Sequence, residues 1–94
     1  METAFVLIDV KTGKVADVVD RLKEIPHVTE VYSIAGEHDI LVKLRFADLK
    51  SLGELVPKKL QKIPGITRTV TLLTFETHKY VDFDLSAGHK LENK

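Results

Sequence analysis

The 94-residue sequence contains no cysteine and no tryptophan. Without thiols, neither a disulfide framework nor a thiolate metal site can form. Net charge is missing as well: fourteen Lys and Arg balance fourteen Asp and Glu. The molecule as a whole therefore lacks the cationic footprint of a non-specific nucleic-acid binder, although the balance leaves room for a local basic patch. Long apolar runs are absent too. The longest, Ala4–Ile8, falls far short of the roughly 20 residues of a membrane span. The opening Met1-Glu2-Thr3-Ala4 carries no basic segment leading into an apolar stretch and a cleavage site. The expectation is a cytoplasmic protein without a membrane partner.

Chemistry-bearing motifs are equally sparse. No serine sits on a shaped turn within a nucleophilic motif, and no glycine-rich run could cradle a phosphate. The four histidines, His27, His38, His78 and His89, have no spacing typical of a ligand set. The residues themselves thus give no catalytic group, no metal and no cofactor. Glu37, His38 and Asp39 cluster, but in a turn, where hydrated side chains collect.

What the sequence does have is a symmetric plan. The stretch Ser33-Ile34-Ala35-Gly36-Glu37-His38-Asp39-Ile40-Leu41-Val42 is a tight reversal between two strands, since Gly36 takes a positive φ at little cost and the polar residues tolerate water at the tip. Before it, Ala4–Val10 alternates as a strand. Val15, Val18, Val19 and Leu22 recur at helical spacing, and Val28–Ala35 is rich in β-branched residues. Thr12 is the expected cap of that helix, and Ile25-Pro26-His27 its stop. After the reversal, Ile40–Phe46 alternates again. Asp48 then caps a second helix with Leu49, Leu52, Val56, Leu60 and Ile63 on its inner stripe, and Ile66–Thr77 is the longest expected strand. Pro57 lies inside the second helix and must kink or break it, because it lacks a donor and crowds the carbonyl of Gly53.

A shift of 38 positions overlays Val18 on Val56, Leu22 on Leu60, Ile25 on Ile63, Pro26 on Pro64, Val28 on Ile66 and Thr29 on Thr67. Two strand–helix–strand halves joined by a hairpin make an α+β, ferredoxin-like βαββαβ domain, with a four-stranded antiparallel sheet and both helices on one face. The first strand is apolar on both sides, through Ala4, Val6, Ile8 and Val10 on one and Phe5 and Leu7 on the other, until Asp9 interrupts. A chain this short buries only about 60–65% of its unfolded surface and has no second sheet to offer. A dimer through the open face is the expected remedy. Residues 1–79 form this domain; residues 80–94 form an extension in which Tyr80, Val81, Phe83 and Leu85 alternate with Asp82 and Asp84, suited to an extra strand crossing to a partner.

The reversal at residues 33–43, the later Asp48-Leu49 and the run Ile63-Pro64-Gly65-Ile66-Thr67-Arg68-Thr69-Val70-Thr71-Leu72 together resemble the effector-binding domain of the Lrp/AsnC family. The likeness covers roughly residues 3–79. It implies a transcription-regulatory, non-enzymatic protomer that dimerises sheet on sheet, closes into a ring of dimers such as an octamer, and binds amino-acid effectors between dimers. By position, Gly36 would let a ligand approach the backbone and Asp39 would accept from its ammonium, with Ser33, Ala35, Thr69 and Thr71 lining the site. Full-length members carry a helix-turn-helix domain, whereas this chain opens directly on the first sensing strand. It therefore resembles the stand-alone members, and the expectation is that it makes no direct nucleic-acid contact and acts by assembling with itself or with full-length regulators. Two other readings share the protomer fold: a small dimeric α+β barrel enzyme of the monooxygenase type, which would need a polar cavity between sheet and helices, and an amino-acid-binding regulatory module of a metabolic enzyme.

Overall fold

Four segments rich in β-branched and other apolar residues form the strands, and two apolar stripes at helical spacing form the helices between them. The computed structural model describes residues 1–81. In order these are β1 (Glu2–Val10), α1 (Val15–Leu22), β2 (Val28–Ser33), β3 (Ile40–Phe46), α2 (Leu49–Leu55) running into a π turn (Val56–Leu60), and β4 (Ile66–Leu73). The sheet order is β2-β3-β1-β4 with every neighbour antiparallel. Each helix thus connects two strands separated by a third, which is the split βαβ arrangement of a ferredoxin-like fold.

One face of the sheet is sealed by the helices. Ala4, Val6 and Ile8 of β1 and Ile40, Val42, Leu44 and Phe46 of β3 are wholly buried against Val18, Leu22 and Leu60, with Leu52, Leu55 and Ile63 nearly so. No polar residue is buried among the described residues. The opposite face carries Phe5, Leu7, Leu41 and Val70, all half-buried, beside the more exposed Tyr32 and Leu72. Its polar corner is knitted together by Glu30, which accepts from the Tyr32 hydroxyl at 2.6 Å and from Lys43 Nζ at 3.2 Å. These contacts, the Tyr32 hydrogen bond foremost, hold the Glu30 carboxyl below its ordinary value.

Several boundaries differ from the sequence expectation for local reasons. Thr12 does not cap α1; Gly13, at φ 82°, completes a turn that delays the helix, and Lys14 occupies the cap position without a side-chain bond. Asp48 does cap α2, its carboxylate accepting from Ser51 N at 2.9 Å. Leu49 is not on the buried stripe, since it is 62% exposed in the first turn. At Pro57 the helix does not separate into two α-helices. It widens into the π turn, where Gln61 N donates to Val56 O at 2.9 Å, because an extra residue per turn accommodates a ring that can neither donate to nor clear the carbonyl of Gly53. β2 ends at Ser33 rather than Ala35. β4 ends at Leu73 rather than Thr77, which leaves the nine-residue β1 as the longest strand. Phe83 and Leu85 of the expected extra strand lie outside the described residues.

Gly65 closes the turn into β4 at φ 100°, and its carbonyl accepts from Lys11 N at 2.8 Å. A Cβ there would stand 3.1 Å from Lys14 Cβ and 3.2 Å from Val18 Cγ2. Gly65→Ala is expected to cost about 1–3 kcal/mol in urea unfolding, through the positive φ and this crowding together. Asp48 titrates below its ordinary value because Ser51 donates to it from backbone and hydroxyl. A depressed folded pKa contributes stability above the unfolded value and loses it as pH falls through the folded one. The destabilisation caused by Asp48→Ala is therefore expected at neutral pH and should vanish below the ordinary aspartate range, as read from unfolding midpoints across pH.

Candidate functional site

The β2–β3 reversal is held by its ends and fastened to β1. Ser33 pairs with Ile40, Ile34 N donates to Asp39 O at 3.0 Å, and exposed Gly36 adopts φ 146° at the tip. Asp39 N donates to Ile8 O at 3.0 Å. Beyond that point β3 has ended, and Val10 N–H would face no backbone acceptor on that side. The carboxylate of Asp39 supplies one, with Oδ2 at 2.9 Å from Val10 N. A second tie lies alongside it: His38 Nδ1 stands 2.8 Å from Asp9 Oδ1, both side chains about three-quarters buried. Because a carboxylate only accepts, Nδ1 carries the shared proton. Thr67 of β4 fastens the other side of the same point, its hydroxyl donating to Asp9 O at 3.2 Å, where the β1–β4 register shifts between Asp9 and Val10.

Of the residues singled out from sequence, Ser33, Ala35, Gly36 and Asp39 come together at this reversal. Thr69 and Thr71 do not join them within one protomer. Ser33, Ile40, Ile8 and Thr69 form one row across the sheet, and Val31, Val42, Val6 and Thr71 the next row on the same face. Ser33 and Thr69 are therefore at opposite edges, three strand spacings or about 14 Å apart. Thr69 is bonded instead to the end of the π turn, accepting from Gln61 Nε2 at 2.9 Å. Sequence reasoning missed Asp9 as a partner of the reversal. The available signal was that Asp9 interrupts an otherwise apolar alternation, but its partner lies 29 residues away.

Chemically, the reversal offers two kinds of group. Asp39 keeps Oδ1 for a cation after Oδ2 is spent on Val10 N–H, and the N–H groups of Ala35, Gly36, Glu37 and His38 have no backbone acceptor among the described residues. An acceptor beside unpaired donors suits a small zwitterion. Among the described residues no three His, Asp or Glu side chains are grouped to hold a metal. A cleft of about 590 Å³ lies elsewhere, where Arg21, Ile25, His27, Leu55 and Lys59 line the gap between the end of α1 and the π turn. None of the residues of the reversal reaches it.

The profile of the Lrp/AsnC ligand binding domain matches residues 3–82 of this chain. An uncharacterised HTH-type transcriptional regulator of Pyrococcus furiosus is 44% identical over 80 residues, which are 82% of this chain and 53% of that protein. The chain spans about half the length of the curated relatives it matches. Among solved structures, a protein of Thermus thermophilus superposes with a TM-score of 0.81 at 35% identity, over 85% of this chain and 100% of that one. A feast or famine regulatory protein from M. tuberculosis, complexed with L-methionine, superposes at 0.75 with 27% identity, over 89% of this chain and 56% of that one. With the family profile covering nearly every described residue and the sheet, helices and reversal in the expected places, the chain belongs to the Lrp/AsnC ligand-binding domain family.

Proposed function

We propose that this chain is an amino-acid-responsive sensing and assembly domain in transcriptional regulation, formed by residues 1–79 and followed by an extension, and that it binds its effector at the β2–β3 reversal. The observation that carries this reading is the family match over residues 3–82, at identities up to 44% with proteins named as HTH-type transcriptional regulators. The relative crystallised with L-methionine supports a free amino acid as the ligand class. Here the ammonium goes to Asp39 Oδ1 and the carboxylate to the unpaired N–H groups of residues 35–38.

The split of the predicted lining between two sheet edges supports assembly as part of function. One protomer presents Ser33 and Asp39 at one edge and Thr69 and Thr71 at the other, so two copies must meet for one ligand to touch both sets. The half-buried Phe5, Leu7, Leu41 and Val70 supply the surface for sheet-to-sheet pairing, and pairs then assemble into a ring or with full-length regulators of the same family. Between sheet and helices the described residues pack aliphatic side chains and Phe46 with no buried polar residue, where the barrel-enzyme reading needs a polar cavity. No described helix is long and apolar enough to cross a membrane.

L-Methionine, and then the other nineteen common amino acids, should be tested by thermal denaturation. A true effector at 100 times its dissociation constant adds about 2.7 kcal/mol to stability. Absence of a shift with all twenty at millimolar concentration would remove the sensing role and leave assembly alone. Asp39 separates ligand from scaffold. Asp39→Asn keeps an oxygen for Val10 N–H, costs about 1 kcal/mol of stability and abolishes the ligand shift, whereas Asp39→Ala also strands that N–H and costs about 1–3 kcal/mol.

A further inference from the structure

Beyond β4 the chain pairs with no further described strand. Thr74 closes the ladder, its N–H and hydroxyl both donating to Thr3 O, at 3.2 and 2.7 Å. Residues 75–81 then make no backbone hydrogen bond with any described residue. Phe75 is 99% exposed, Tyr80 69% and Val81 57%. Tyr80 touches its own sheet through Lys43, whose Nζ lies 5.7 Å from the ring centroid on the open face. A segment with unpaired backbone and three largely exposed apolar side chains has the makings of an unfinished strand.

The sheet has a matching vacancy. β2 and β4 are the outer strands, and of the two β4 is the less protected. β2 is six residues long, irregular between Val28 and Glu30, and preceded by Pro26. β4 is eight residues long and carries Val70 together with Leu72 and Leu73, which are each about half exposed. A long, open, apolar edge recruits a further strand.

We propose that residues 74–81 are an exchanged arm, laid by each copy as a fifth strand along the outer edge of β4 in a second copy. The proposal rests on the pairing of copies put forward above and names the segment that secures it. The arm cannot easily serve its own β4, because residues 74–81 contain none of the Gly, Asn, Asp or Pro that a tight hairpin onto that edge requires. Its length suits the exchange: eight extended residues reach about 26 Å, enough to step between sheets packed about 10 Å apart and still run along a strand.

The absence of native cysteine allows a direct test in the 94-residue chain. One preparation carries Thr71→Cys on β4 and another carries Glu76→Cys or His78→Cys on the arm. On mixing and mild oxidation, disulfides are expected between the two preparations. When both changes are placed in one chain, cross-linking confined to single copies at high dilution would mean that the arm covers its own sheet, and would overturn the proposal. In parallel, Phe75→Ser, Tyr80→Ser and Val81→Ser combined should raise the dissociation constant of the pair at least tenfold by sedimentation, and an unchanged constant also refutes the arm. The open-face variant Leu7→Asp with Leu41→Asp tests sheet pairing by itself. If that variant stays paired and still cross-links through the arm, the sheet-to-sheet reading fails and the arm stands; if it dissociates while the arm variants do not, the arm alone fails.

Discussion

A strand bonded along both edges and apolar on both faces has to be covered twice. β1 is that strand here: β3 and β4 take its two edges, and Ala4, Val6 and Ile8 alternate with Phe5 and Leu7. Two short helices can cover one face only. Most of the architecture follows from that shortage. The helices put their branched aliphatic stripes against β1 and β3, the outer strands are left half-covered, and the face holding Phe5, Leu7 and Leu41 has no described helix over it. The polar corner around Glu30, Lys43 and Tyr32 marks where that surface ends.

The same strand positions the candidate site. At its C-terminal end β1 outlasts β3, and the groups left over, the N–H of Val10 and the side chain of Asp9, are taken by Asp39 and His38 of the reversal. A loop that would otherwise be a solvated tip is thereby fastened to the centre of the sheet. Asp39 consequently does two things at once: one carboxylate oxygen completes the backbone of β1, and the other remains available. A residue with both duties holds a six-residue connection rigidly enough to carry the proposed site.

Much of this was legible in the sequence because it depends on local patterns. The two helices, the four strands and the N-cap at Asp48 follow from spacing and from side chains that bond their own backbone. The half-repeat also survives in three dimensions: Leu22 and Leu60 are both wholly buried, and Val28 and Ile66 both open outer strands. Where local reading failed, a neighbour distant in sequence or a backbone device intervened. Gly13 displaced the cap expected at Thr12. Leu49 follows the helical stripe yet lies on a first turn with nothing above it. Pro57 was readable as an obstacle, but the π turn that bypasses it depends on the end of the helix being fastened through Leu60 and Gln61 to the core and β4.

The order of elements, the reversal at Gly36 and the apolar character of both faces of β1 were set by the amino-acid sequence itself, since period-two and period-3.6 patterns and turn residues act over a few positions. Which residues share the site was decided only by the tertiary structure. Strand order placed Ser33 and Thr69 at opposite ends of one row, and the early end of β3 turned Asp39 toward Val10. Both facts depend on registers between segments some thirty residues or more apart in sequence, and no local pattern encodes those.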